Sequence, residues 1–317
     1  MVRSYGKTLR RRFRRLRPVI FDRLAFVLPN TQRLPIAILL VSAVVALTGC
    51  GATDHARRGP LPPPITEKTP LTIMSFNIRL GLGREDPNRE ILYMKSQWGR
   101  NLDAVIEAIR SADPDIVGLQ EVAGPDQLRQ IARALDMNHV FVWHETVGNQ
   151  KPWWGVGLLS KYPITSSVRA SLSDDRNFVI ASVDVGPRNI SIVTLHRSHL
   201  EFSEQSLPIL MGELSQIELP ILVTGDFNIT PEARMRTARD RKQLQPILDK
   251  FLDTAREAPT KTAEQASQAG TYHRGGRTDY IFAEKGNFRI LDAGLVAAEY
   301  RNASDHIAYF AKVILRE

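Results

Sequence analysis

From Leu71 onward, apolar residues recur with two periods, and the alternation between them predicts the elements. LTIMSFNI (71–78) and DIVGLQEV (115–122) are apolar runs of strand length, the pattern of strands covered on both faces. Between them, QWGRNLDAVIEAIRSA (97–112) has helical spacing and stops before Asp113-Pro114, because the residue preceding a proline is pushed out of the helical region. GPDQLRQIARALD (124–136) reads as a second helix. Further strands are expected at 139–144, 155–160, 164–171, 178–185 and 189–195, then a helix at about 203–217 and the strand PILVTGD (220–226). The last strands fall near 279–283, 288–296 and 307–314. Hairpins next to one another in the middle argue against a purely parallel, doubly wound sheet, so two mixed sheets covered by helices are expected. With no internal repeat, one domain over residues 71–317 is the simplest account.

The first fifty residues follow a different pattern. A basic run, LRRRFRRLR, precedes the apolar stretch PIAILLVSAVVALTG at 35–49, which is shorter than the roughly 20 residues a spanning helix needs and ends in small residues. Residues 1–50 therefore read as a signal peptide. Leu47-Thr48-Gly49-Cys50 resembles the bacterial lipobox, which implies that Cys50 is acylated and anchors the chain in a membrane. The competing reading is a short uncleaved anchor with an incidental cysteine; both put the body outside the cytoplasm, since the basic residues stay inside. Gly51 after Cys50 favours the outer membrane, again by resemblance to lipoproteins. Residues 51–70, with Arg-Arg-Gly-Pro-Leu-Pro-Pro-Pro, read as an extended tether.

Charge changes the picture once its location is known. The net charge of +8 would suit a polyanion binder, but residues 1–50 carry ten of the 42 basic residues and one of the 34 acids. The remainder is close to neutral, so overall charge does not argue for a nucleic-acid partner. One cysteine in the whole chain excludes an intramolecular disulfide and a cysteine-built metal site.

Candidate chemistry lies at strand ends, where a side chain can leave the core while its backbone stays fixed. Asn77 ends TIMSF, Glu121 follows DIVGLQ, His196 follows ISIVTL, and Asp226 follows PILVTG with Asn228 two residues on. Asp279 lies in RTDYIF, and Asp305-His306 precedes IAYFAKV. Together with GLLSKYPI and GDFNITP, these pieces resemble, in order and over residues 71–317, the endonuclease/exonuclease/phosphatase superfamily of deoxyribonuclease-I-like nucleases, sphingomyelinases and phosphatases.

The resemblance implies a four-layer α/β/β/α sandwich, in the α/β (α+β) class, with two packed mixed sheets and the active site at one end. It implies a Mg²⁺-dependent hydrolase of phosphate esters, with Mn²⁺ as a possible substitute. Glu121 would be the main metal ligand, with Asn77 and Asp305 beside it. Asp226 would orient or deprotonate water, Asn228 would fix its geometry, and a His306–Asp279 pair would serve the phosphate. A hard cation held by oxygen ligands suits a reaction that develops charge on phosphoryl oxygens. Whether Asp226 or His306 is the base stays open. The family's Thr-His-Leu signature can be laid on His196 or on His199; position along the strand favours His196. Arg176 is a candidate phosphate contact. His144, Trp153 and Trp154 are expected on a loop after a strand, where the tryptophans are candidates for lining the groove, for meeting lipid, or for packing on a sheet edge. Plainer roles compete: an Asx turn at Asp226 and Asn228, a strand cap at Asn77, and an Arg277 partner for Asp279.

Substrate is set by loops around a shared centre. A nuclease-type phosphodiesterase ranks first and a phospholipid or sphingolipid phosphodiesterase second. A catalytically silent binding module is disfavoured by the intact metal and base set. The chain is expected to act as a monomer.

Overall fold

The computed structural model describes residues 59–66, 69–84, 94–145, 153–172, 175–198, 205–230, 237–273 and 275–316. Cys50, the whole leader and His199 lie outside the described residues.

Twelve strands among these residues form two six-stranded sheets. The first sheet holds β1 (Leu71–Asn77), β2 (Ile116–Val122), β3 (Asn138–Trp143), β4 (Gly155–Ser160), β11 (Phe288–Leu295) and β12 (Tyr309–Leu315), in the order β11-β12-β1-β2-β4-β3. The second holds β5 (Ile164–Ser171), β6 (Asn177–Asp184), β7 (Asn189–His196), β8 (Ile221–Asp226), β9 (Phe251–Asp253) and β10 (Asp279–Glu284), in the order β5-β6-β7-β8-β10-β9. Both are mixed: β1 pairs parallel with β2, and β7 parallel with β8, while their other neighbours run antiparallel.

Helices cover the outer faces. On the first sheet lie α1 (Leu102–Ala112) and α2 (Pro125–Leu135), whose Val105, Ile109, Leu128 and Ile131 pack against Met74, Val117 and Leu119. On the second lie α3 (Ser206–Leu214) and α4 (Thr237–Lys250), with Leu207, Leu210 and Ile247 in one cluster with Val193, Val223 and Phe282. Two shorter helices, α5 (Thr254–Glu257) and α6 (Lys261–Ala269), follow. The four-layer sandwich expected from the sequence is what the chain forms. Continuous apolar strands follow directly, since β1 sends Leu71 and Ile73 to the inter-sheet core and Met74 and Phe76 to the helices.

The inward positions grade from apolar to polar along each strand, through a hydroxyl on β1, β7 and β8. On β7 they run Ile190, Ile192, Thr194, His196; on β8, Leu222, Thr224, Asp226; on β1, Ile73, Ser75, Asn77; on β10, from the opposite direction, Ala283, Ile281, Asp279. The register sets His196, Asp226 and Asp279 in one row. Period-two geometry therefore delivers several polar side chains to one end of the sandwich.

Just beneath that end the sheets come very close. A Cβ on Gly118 would lie 2.0 Å from Thr224 Oγ1 and 2.7 Å from Thr194 Oγ1, and those two hydroxyls bond each other at 2.9 Å. Gly118→Ala must push the sheets apart, and urea unfolding is expected to show a loss of about 1–3 kcal/mol.

Candidate active site

Asp226 is the hub. It is 1% exposed; its Oδ1 accepts the Asn228 backbone N–H at 2.9 Å and its Oδ2 accepts Asn77 Nδ2 at 3.1 Å. The Asx turn exists, and it is part of the cluster. His196 Nε2 and His306 Nε2 approach the same Oδ2 at 3.5 and 3.7 Å. Asn228, at φ 51°, bonds His196 Nε2 at 3.1 Å and the Arg197 carbonyl at 2.7 Å through Nδ2. Burial first, and then the Asp279 carboxylate, push the Asp226 carboxyl up to about 7.

His306 donates through Nδ1 to Asp279 Oδ2 at 2.8 Å, and Thr278 Oγ1 bonds the same oxygen at 3.1 Å. The second nitrogen faces Asp226, so the imidazole lies between two carboxylates. Burial would lower its pKa, but Asp279 and then Asp226 lift it to about 10. A raised pKa means that the pair's contribution to stability is full below the unfolded value of 6.5 and is lost as pH rises through about 10. In the metal-free protein, NMR of the His306 ring is expected to show it protonated throughout neutral pH, and Asp279→Asn is expected to bring its titration down. Arg277, the sequence's other candidate partner for Asp279, instead grips Asp253 with two bonds of 2.8 and 2.5 Å.

Glu121 stands on the far side of Asn77, whose Nδ2 donates to Glu121 Oε1 at 3.1 Å. Its backbone is at φ 54°, where the ladder between β2 and β4 shifts register. A glutamate held left-handed on a bulge stores strain of a kind that concentrates at functional sites. Burial and then the nearby Asp305 raise its pKa. Asp305 in turn lies 3.4 Å from Arg79 Nε, and Ser304 Oγ ties the chain to the Asn77 carbonyl at 2.7 Å.

Two partly buried carboxylates that repel each other, flanked by an amide, fit a hard divalent cation, which would relieve the repulsion. Asp226, Asp279 and His306 also have ligand atoms within 4.8 Å of one another. There, however, Asp279 already engages the imidazole, and both Asp226 oxygens accept hydrogen bonds. That trio is better suited to handling protons.

Arg176 completes the pocket. Its guanidinium lies 4.2 Å from the Trp154 ring centroid, Trp154 is 5.0 Å from the His196 ring, and the arginine's charge is felt at Glu121. Trp153 stacks on Trp98 at 6.3 Å. His144 is buried; burial and then Arg176 hold its pKa well below the usual histidine value.

The structure thus brings together Asn77, Glu121, Arg176, His196, Asp226, Asn228, Asp279, Asp305 and His306. Sequence reasoning missed Arg197, which at 2% exposure donates to Ser206 Oγ at 2.6 Å, the Phe227 carbonyl at 3.2 Å and Gln243 Oε1 at 3.1 Å. It braces the turn carrying Asp226 and Asn228. Arg79 was missed too. Their places, Arg197 directly after His196 and Arg79 two residues after Asn77, were the only hint of either.

Solved structures share this architecture at low identity. An endonuclease/exonuclease/phosphatase from Bacteroides vulgatus is 20% identical, with TM-score 0.61, covering 78% of this chain and all of that one. The human Nocturnin catalytic domain with bound sulfate is 18% identical, with TM-score 0.61, covering 78% and 94%. A mannosyl-6-phosphatase from Bacteroides thetaiotaomicron is 18% identical, with TM-score 0.57, covering 77% and 99%. No curated protein matches the chain in sequence. The model of the Endonuclease/Exonuclease/phosphatase family matches residues 74–306, and with that span and this fold the chain belongs to that family of hydrolytic phosphoesterases.

Proposed function

We propose that the protein is a Mg²⁺-dependent phosphodiesterase of nuclease type, held at a bacterial envelope membrane through acylated Cys50. The observation that carries the activity is the row of His196, Asp226 and Asp279 set by strand register, with Glu121 and Asp305 beside it. The family is generally divalent-metal dependent, and Glu121, Asn77 and Asp305 are the residues that would hold the ion. When bound, it would stabilise charge developing on the phosphoryl and leaving oxygens.

The remaining roles follow from hydrogen bonding. His306, between Asp279 at 2.8 Å and Asp226 at 3.7 Å, holds its proton and donates to a phosphoryl oxygen. Asp226, facing both histidines, accepts the proton of the attacking water, a role that its raised pKa and its position beside a protonated His306 support. Asn228 and Asn77 fix its two oxygens. Arg176, laid on Trp154, contacts phosphate.

The test incubates the protein with plasmid DNA and, separately, with phospholipid and sphingomyelin vesicles, in Mg²⁺ or EDTA. Metal-dependent nicking of DNA is expected. Headgroup release with DNA left intact would replace the nuclease reading by lipid turnover.

A further inference from the structure

Every tryptophan of the chain gathers on one flank of the site. The sequence holds Trp98, Trp143, Trp153 and Trp154 and no others. The Trp154 ring stands 5.0 Å from that of His196. Trp98 and Trp154 pack, together with Ala123, against the buried Leu80 and Leu82; Ala123 is two residues past Glu121, and Leu80 three past Asn77. Trp153 and Trp98 stack with ring centres 6.3 Å apart and planes within 7° of parallel. Trp143, 38% exposed, lies against Gly124, where an added Cβ would come within 2.9 Å of its ring.

Cations are interleaved with these rings. Lys95 Nζ lies 5.7 Å from the Trp98 ring centre, and the Arg176 guanidinium 4.2 Å from that of Trp154. Arg100, exposed, donates through Nε to the Leu82 carbonyl at 3.2 Å. Trp98, Trp153 and Trp154 are only half-buried, although a ring recruited merely to close a sheet edge gains most from full burial. Trp98 does not belong to an edge at all; it follows the 3₁₀ turn Lys95–Gln97 and lays its ring parallel to Trp153. Flat rings alternating with cations are the pattern that suits a single strand of nucleic acid, whose bases stack while its phosphates pair with charge.

We propose that the Trp98–Trp153 ledge takes a nucleobase next to the scissile phosphate, with Lys95, Arg100 and Arg176 against the flanking phosphates, so that the site prefers strands whose bases are unpaired. This rests on the nuclease reading above and narrows it. Trp153 directly precedes Trp154, whose ring meets His196, so the ledge begins within reach of the nucleotide attached to a phosphate at the site. Bases inside a duplex already stack on one another, whereas an unpaired base can turn onto an aromatic face. A lipid headgroup brings no flat ring to stack. The near-neutral charge of the body agrees, since stacking then supplies affinity that a broad basic face supplies elsewhere.

The full chain carrying Asp226→Asn, in nonionic detergent micelles with Mg²⁺, tests this by fluorescence anisotropy. The probes are a labelled single-stranded oligodeoxynucleotide, the same strand with abasic sugars at its central positions, and the first strand paired in a duplex. The base-bearing single strand is expected to bind about 5–100-fold more tightly than the abasic one, the usual effect of one base–aromatic stack. Trp153→Ala is expected to erase that difference, and Trp153→Phe, which keeps a flat ring, to retain most of it. Lys95→Gln, at an exposed position, is expected to weaken both single strands alike and to lower the salt slope by about one.

Equal binding of base-bearing and abasic strands, or a preference that Trp153→Ala leaves intact, would overturn the proposal. So would a Trp153→Ala effect confined to headgroup release from sphingomyelin–detergent micelles in the chain with Asp226 intact, which would give the ledge to lipid. Metal-dependent turnover of bis(p-nitrophenyl) phosphate by the wild-type chain is read separately. Turnover with equal strand binding would overturn the ledge and leave the phosphoesterase standing; base-dependent binding without turnover would support the ledge and contradict the hydrolase reading.

Discussion

Asp226→Asn is expected to lower kcat by about 10²–10⁴-fold, the usual contribution of a positioned general base, while making the metal-free protein more stable at neutral pH. The two effects share a cause. The folded-state pKa of Asp226 is raised from 3.8 to about 7, by burial first and then by Asp279. The folded chain therefore binds this proton more tightly than the unfolded chain does. Stability from that proton is full below 3.8 and is lost as pH rises through about 7. At pH 8 the buried carboxylate is ionised at a cost; the isosteric amide removes the charge but keeps one oxygen, so only one of Asn77 and Asn228 retains its acceptor and part of the gain is offset. Urea unfolding is expected to show a gain of about 1–3 kcal/mol at pH 8 that shrinks towards pH 4. A structural aspartate would behave otherwise, losing stability on substitution and leaving kcat nearly unchanged.

Glu121→Gln separates metal holding from proton handling. With the carboxylate gone, Asn77 and Asp305 retain a weaker oxygen site, and divalent-cation affinity is expected to fall by more than the roughly 10–100-fold typical of an outer partner. Raising Mg²⁺ is expected to restore part of the activity of Glu121→Gln and none of that of Asp226→Asn. Titration calorimetry with Mn²⁺ as the probe measures the affinity directly. Unchanged affinity in Glu121→Gln would move the ion elsewhere, with Asp226, Asp279 and His306 the next group to consider.

The strands that deliver the site were legible because each is a buried run closed by a polar residue, and a period of two leaves little freedom as to which face that residue joins. The expected strands at 155–160 and 164–171 coincide with β4 and β5, and most others shift by a residue or two. The stretch between Asn228 and Asp279 was not legible. In α4, TARDRKQLQPILDK shows few apolar residues and carries Pro246 inside the helix, and β9 is three residues long. Missing β9 hid Asp253, and with it the reason that Arg277 is unavailable to Asp279. The helix expected from 97 begins at Leu102, because Gly99 sits at φ +78° and a 3₁₀ turn occupies Lys95–Gln97.

Partners far apart in sequence account for the rest. Nothing local marks Arg197 as buried, yet Ser206, Phe227 and Gln243 converge on it from three other segments. Trp154 and Arg176 meet across the two sheets' edge loops, a contact that no local pattern encodes. Glu121 was recognisable as the residue closing β2, but its left-handed backbone was not, since nothing local distinguishes a bulge from a regular strand end.

The central claim is that these strand ends form one metal-dependent phosphoester-cleaving centre, and bis(p-nitrophenyl) phosphate hydrolysis by the wild-type protein, with Mg²⁺ and then with EDTA, tests it most directly. Turnover that EDTA abolishes, Mg²⁺ restores and Asp226→Asn removes is the expected result; turnover indifferent to EDTA and to Asp226 would contradict it.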